Sequence, residues 1–402
     1  MGNAEQMDVN RPATVWAMVL LAAVTPAPAV LGPLIVGLYV TDLGVTAQQA
    51  GYLIAAELIG AALSTFSTLL LIGRVNWHKV LYISTVIIIA AYVLSCAFTS
   101  FEMLLPIRFT SGLALGTIMT MTIVVSGMMA DKERAFGFWS LGQIVFAVTG
   151  FAVFPHLFPV IGVKGFFLSM ARFMAVMLLP IRFMPVAGTA EHKRGMSSLP
   201  ARARKLLPVG LLALLLFYTA VGGVWAYVER IANQAGFHPD FIGYALSSSS
   251  VVGVAGAGGA TWLSKRLGRL VPSLFGYALL GIAILILLNM QSMVLYIVAS
   301  FTFKFSWWFT SPYLLANMTT LDPSGRVAVL VNFVVACGMG TGPAIAATIL
   351  EYAQPAGSPL NYNAVLVFGV ACLMVSFPLL YLIIQQNSAT ARAEISVIPV
   401  RT

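Results

Sequence analysis

The sequence predicts an all-α membrane protein, with twelve transmembrane helices in two pseudo-symmetric six-helix bundles. Three observations predict it: the composition, twelve apolar runs of spanning length, and a repeat that relates the two halves. Of 402 residues, 59% are hydrophobic and 9% charged. A soluble domain has about 45–50% apolar and about 25% charged residues. The mean hydropathy of +0.93 points the same way. An ordinary soluble enzyme is excluded. Shared among twelve segments, the chain leaves about 33 residues apiece, one spanning helix of about 20 residues and a short loop.

The runs lie at 14–39, 50–72, 80–98, 103–129, 136–158 and 163–184 in the first half. In the second they lie at 207–228, 241–263, 270–289, 293–316, 327–350 and 362–386. Each is long enough to cross about 30 Å of hydrocarbon as a helix, and none alternates as a spanning strand does. The first carries Pro26, Pro28 and Pro33, the tenth Pro312 and the eleventh Pro343. Neighbouring helices tolerate such breaks by satisfying the freed backbone groups. The second run holds Glu57, the fourth Arg108, the sixth Arg172 and the tenth Lys304. The pairs Gly112/Gly116 and Gly338/Gly342 let helices approach closely. Residues 1–184 form the first bundle, 207–386 the second, and 387–402 a tail. Between the bundles, 185–206 (PVAGTAEHKRGMSSLPARARKL) reads as a basic linker able to lie along the membrane surface.

The charges orient the chain. There are 22 basic and 13 acidic residues, a net of +9. With the N-terminus in the cytoplasm, seventeen basic residues fall on that side, and only Lys164 and Arg230 on the other. Arg108, Arg172 and Lys304 stay within the spans. The asymmetry predicts both termini in the cytoplasm of a cell-membrane protein. Basic residues scattered through short loops exclude a nucleic-acid partner, which needs a patch on a soluble domain. The polar, acidic N-terminus lacks the basic start of a cleavable signal peptide, and MGNAEQ does not fit the myristoylation pattern.

The halves repeat at an offset of 192 residues. Arg74 maps to Arg266, Gly51-Tyr52 to Gly243-Tyr244, Arg134 to Arg326 and Gly150 to Gly342. Duplicated six-helix halves are a transporter design, with a solute site near the bilayer midplane between them.

With these motifs the chain resembles the major facilitator superfamily over nearly its whole length. LIGRVNWHKVL (71–81) is similar to the family's G-x-x-x-D-R-x-G-R-R loop, with Arg74 as the Arg and Gly73 in place of Asp. TWLSKRLGRL (261–270) is the second copy, keeping Arg266, Gly268 and Arg269. LPIRFTSGLALG (105–116) resembles the fourth helix, with Arg108 in its R-x-x-x-G pattern, and DKERAFGFWSLG (131–142) the following loop. The antiporter Gly-Pro of the fifth helix is lost, with Phe151 after Gly150, whereas Gly342-Pro343 stands in the eleventh. The resemblance implies a monomer working by alternating access. It also implies a cytoplasmic gate of Arg74, Lys79, Arg134, Arg266, Arg269 and Arg326.

Charges inside a span need a reason, since each costs about 2.5–3.5 kcal/mol on insertion scales. Glu57 and Arg108 lie at similar depth, about 10 and 8 Å from one face. Two readings stand: a static brace between helices, or a proton-sensitive pair in which Glu57 takes up a proton when Arg108 is drawn away. Arg108 also heads a polar stripe with Ser111, Thr122 and Ser126, placed either on the cavity or between helices. Lys304 lies about 17 Å into the tenth helix, with Ser300, Trp307, Trp308 and Ser311 on its face. It meets an anionic group of a solute, an acid from the other half, or only the tryptophan faces. On the seventh helix Tyr218, Gly222, Trp225 and Glu229 share a face. Glu229 and Arg230 are placed near the outer surface, as a gate or as exposed charges.

The substrate set is therefore Arg108, Lys304, Trp307, Trp308, Trp225 and Tyr218, with Glu57 as the proton carrier. Enzyme chemistry finds no support. There is no Walker A sequence, and His78, His156, His192 and His238 lack metal-ligand spacing. Cys96, Cys337 and Cys372 sit in apolar runs without a disulfide or metal pattern. No cofactor is expected. The partners are the lipid bilayer, a small solute and protons. Arg108 and Lys304 against Glu57 predict a net-positive cavity, and so import of a small organic anion with protons. The alternatives are a drug or metabolite exporter exchanging protons, with Glu57 at its centre, and a non-transporting sensor on a transporter fold.

Overall fold

The computed structural model describes residues 9–71, 73–186, 201–288, 290–321, 326–353 and 360–397. These form thirteen α-helices and one 3₁₀ turn, with no strand among the described residues. The first half comprises α1 (Pro12–Val24), α2 (Ala27–Val30), α3 (Gly32–Asp42), α4 (Ala47–Leu71), α5 (Trp77–Ala97), α6 (Phe101–Met128), α7 (Lys132–Val176) and the 3₁₀ turn Pro180–Phe183. The second comprises α8 (Ala201–Gln234), α9 (Pro239–Leu267), α10 (Leu270–Ile286), α11 (Met293–Thr319), α12 (Arg326–Tyr352) and α13 (Tyr362–Val397).

Nine helical segments among the described residues are long and apolar enough to cross a membrane. Two features reconcile these with twelve crossings. The first crossing is broken into α1, α2 and α3, because Pro26, Pro28 and Pro33 each lack the N–H that would continue the ladder. And α7 is two crossings joined at Gly162, whose φ of 58° and ψ of −171° turn the chain. That positive φ favours glycine. Asp42 Oδ2 accepts from Val163 N at 2.8 Å, supplying a cap to the helix that leaves the turn. The shorter apolar helix α10 completes the set.

Outward faces are apolar as well as inward ones: Ile83, Val86 and Val93 of α5 are exposed, as a lipid-facing surface requires. α8 begins within the stretch read as a linker, and α13 continues past residue 386 to Val397. The rest of the linker, 187–200, lies outside the described residues.

The start of α1 and the end of α13 lie at one end of the bundle, the termini end. There Thr14 Oγ1 donates to Phe183 O at 2.9 Å, and Trp77 N to Val186 O at 2.8 Å. Asn387 Nδ2 donates to Asn317 O at 3.0 Å in the second half. The halves meet along a seam where α4 packs on α12, α3 on α8 and α7 on α9. Hydrogen bonds across this seam cluster at the end far from the termini. Tyr227 Oη donates to Ala47 O at 3.0 Å, and Tyr52 Oη lies 2.8 Å from Thr348 Oγ1. Gln48 Nε2 bonds Glu351. His156 of α7 sits between Tyr244 Oη at 2.8 Å and Asp240 Oδ1 at 2.9 Å, both on α9. Nearer the termini, the halves touch through the Phe66 and Phe333 rings, 5.5 Å apart.

Candidate functional site

Two buried polar clusters stand out, and only one lies on the seam. The other is inside the first half, where α4 and α6 press together at Gly112. A Cβ there would come within 1.9 Å of the Glu57 carbonyl. This approach brings Arg108 Nη1 to 3.5 Å from Glu57 Oε1, with both side chains almost wholly buried. Glu57 is held more closely by Ser111 Oγ, which donates to the same oxygen at 2.8 Å. Arg108 is anchored on α5, donating from Nη2 to Ser95 Oγ at 2.7 Å and Ala91 O at 3.1 Å. Its guanidinium also lies over Tyr92 at 4.8 Å and Phe167 at 5.1 Å. Helices α4 to α7 thus enclose Arg108 within one bundle, and none of these partners belongs to the second half. Its stripe partners do the same work: Trp139 Nε1 donates to Thr122 Oγ1 at 3.1 Å, tying α7 to α6.

The second cluster is built around Trp225 of α8, which is 1% exposed. Its Nε1 donates across the seam to Val30 O at 3.2 Å. Phe151 of the first half meets the ring edge-on at 5.9 Å, and Phe303 stacks at 5.9 Å with 17° between planes. Lys304 Nζ lies 3.6 Å from the centre of the Trp225 ring and 4.7 Å from that of Trp307. Among the described residues it meets no carboxylate. An ammonium has three donors and an indole face accepts none of them in a conventional hydrogen bond. Burying an ion costs several kcal/mol, against about 0.5–2 kcal/mol for a cation–π contact. The two indoles therefore offset part of the cost and leave an anionic ligand or water to supply the rest.

Trp225 also walls a small cleft on the seam, with Pro28, Gly32, Leu58, Met339 and Pro343. A Cβ added at Gly32 would meet nothing within 4 Å, so this position opens onto free space. The cleft takes residues from α2, α3, α4, α8 and α12, hence from both halves.

The structure brings together Lys304, Trp307 and Trp225 of the expected set. Trp308 is turned toward α9, where a Cβ on Gly253 would reach its ring at 2.8 Å. Tyr218 is buried within the second half against Gly338 of α12. Arg172 is exposed on α7. Of the expected gate residues, Arg74, Lys79 and Arg134 are exposed at the termini end. Arg269 Nη1 donates to Ala316 O at 3.1 Å. The side chains of Arg266 and Arg326 lie outside the described residues.

Glu229 is placed differently from a surface charge. It is 8% exposed, one turn beyond Trp225 on α8, and its Oε2 has no hydrogen-bond partner among the described residues. Its carboxylate fills the space above Gly37 of α3, where a Cβ would lie 2.5 Å from Oε2. Reading the seventh run as ending at 228 put it at the surface, whereas α8 extends to Gln234.

Twelve crossings in two halves, with a cleft on the seam and buried charges there that form no ion pair among the described residues, define a multi-pass membrane transporter. The family model of the Major Facilitator Superfamily matches residues 17–343, and the chain belongs to that family. Solved transporters share the fold. The POT family transporter PepTSo aligns with a TM-score of 0.72 at 11% identity, covering 94% of this chain and 99% of that one. The nucleoside transporter NupG aligns at 0.73 and 12%, covering 92% and 98%. A POT family transporter in complex with 5-aminolevulinic acid aligns at 0.73 and 12%, covering 92% and 95%. Among curated proteins, none matches.

Proposed function

We propose that the protein imports a small organic carboxylate by alternating access, in symport with protons. The observation that carries this reading is Lys304, a buried cation facing two indoles beside a cleft shared by both halves. A solute carboxylate supplies the acceptors that its ammonium lacks, and the aromatic walls take an apolar or aromatic body. The basic loops assign the termini end to the cytoplasm. The conformer described is then the one hydrogen-bonded on the outside, and import requires the bonds of Tyr227, Tyr52 and His156 to open in turn. In this reading Glu57 carries the proton. Arg108 keeps its anchors on Ser95 and Ala91 when Glu57 is neutralised, and α4, which bears Glu57, also lines the cleft through Leu58.

The test is proton flux in proteoliposomes with a pH dye in the lumen. Matched panels of aromatic carboxylates and lipophilic cations are added outside. Carboxylate-driven acidification of the lumen is the expected result. Proton movement opposite to a cation would overturn it in favour of exchange. A companion variant, Gly32→Leu, places a side chain in the cleft without a clash at Cβ. It is expected to fold as the wild type and to lose at least about tenfold in uptake, since the site would exclude even a small solute. Wild-type uptake with Gly32→Leu would show that the solute passes elsewhere.

A further inference from the structure

We propose that the solute is a zwitterion, its carboxylate on Lys304 and its ammonium on Glu229. The inference rests on the carboxylate reading of Lys304 and adds a second, oppositely charged contact. More buried polar atoms in this part of the seam lack hydrogen-bond partners among the described residues: Glu229 Oε2 and Ser300 Oγ, and beyond Glu229 also Arg230 Nε and Tyr362 Oη. Ser300 lies one turn of α11 from Lys304, and Glu229 one turn of α8 from Trp225, whose ring lies under the Lys304 ammonium. Tyr296, a further turn along α11, donates to Val228 O at 3.4 Å and so brings α11 alongside α8 next to Glu229. Lys304 and Glu229 form no ion pair in the described residues.

Glu229 lies one helical turn, about 6 Å of backbone rise, beyond the residue that carries the Lys304 ammonium on its ring. An ammonium and a carboxylate on neighbouring carbons, each with a hydrogen bond of about 2.9 Å at its outer end, bridge groups up to about 9 Å apart. Electrostatics select the same class. Arg108 is paired with Glu57 inside the first half, so it does not make the seam net positive. The charges left there without an ion pair among the described residues are Lys304, Glu229 and, at the far end beside Tyr362, Arg230. A simple anion on Lys304 would leave Glu229 unmatched, and a simple cation on Glu229 would leave Lys304 unmatched. A zwitterion satisfies both. Arg230, next in sequence to Glu229, lies within electrostatic reach of it but forms no ion pair with it among the described residues, and its guanidinium meets Tyr362. Gly37 supplies the bare wall of the first half against which the Glu229 carboxylate sits.

The experiment measures binding of three probes with one aromatic body to the purified full-length protein: phenylalanine, 3-phenylpropionate and phenethylamine. Wild type is expected to bind phenylalanine at least about tenfold more tightly than either single-charge analogue, the usual worth of a charged hydrogen bond. Glu229→Gln is expected to remove that advantage and leave 3-phenylpropionate bound as before or better. Glu229→Asp, which keeps the charge, is expected to retain part of the preference. Lys304→Gln is expected to weaken both acids. Equal wild-type affinity for phenylalanine and 3-phenylpropionate, or an unchanged preference in Glu229→Gln, would overturn the zwitterion and leave the carboxylate reading standing. Unchanged affinity of both acids in Lys304→Gln would overturn the carboxylate reading itself. Binding of none of the three by wild type would overturn the proposal for an aromatic solute.

Discussion

Arg108→Gln is expected to cost about 3–5 kcal/mol of stability, the loss found when one partner of a buried ion pair is removed. The substitution strips Glu57 of its cation while leaving the carboxylate enclosed by α4 and α6. It also takes away two hydrogen bonds on α5 and two aromatic contacts. Glu57→Gln is expected to be milder. The guanidinium then keeps Ser95, Ala91, Tyr92 and Phe167, and a glutamine can still accept from Ser111. The double variant Glu57→Gln/Arg108→Gln is expected to recover more than about 1 kcal/mol over additivity, because the stranded charge is gone. Denaturation in detergent micelles checks all three. An Arg108→Gln protein as stable as wild type would show that the pair is no brace.

The placement of this pair shows where the sequence was legible and where it was not. Depth along a helix can be counted, at 1.5 Å per residue, and the count gives Glu57 and Arg108 a similar depth. Direction around a membrane helix cannot. α6 buries a polar stripe, but such a stripe serves equally on the seam or between helices of one bundle, so the pattern does not say whether Arg108 points to the seam or into its own bundle. Its enclosure by Ser95 and Tyr92 depends on how α5 packs, which no local pattern encodes. The Trp225–Lys304 contact was partly legible, since a midplane lysine in an aromatic run needs aromatic neighbours. The break at Gly162 was legible, since the apolar runs 136–158 and 163–184 stop on either side of it, but its cap was not, because Asp42 lies 121 residues away in sequence. Glu229 was misplaced by a simpler cause. The apolar run stops at 228, but the helix and its packing against Gly37 continue.

Lys304→Met is expected to abolish uptake while raising the stability of the ligand-free protein by about 1 kcal/mol or more. Replacing buried charge with an apolar side chain of similar volume is often stabilising by about 1–4 kcal/mol. The methionine stem fills the same space between Trp225 and Trp307, and a thioether packs well on indole faces. What it removes is an ammonium that meets two indole faces and no carboxylate among the described residues. A residue kept at a cost in stability is one whose charge is used. The opposite outcome follows if Lys304 is a strut: its cation–π contacts would then be net favourable, and Lys304→Met would lower the melting temperature along with uptake. Measuring both quantities on one preparation separates the cases. Higher stability with no flux marks a cation that waits for a carboxylate. Lower stability marks one already satisfied by Trp225 and Trp307, and the solute's anchor would have to be sought elsewhere on the seam.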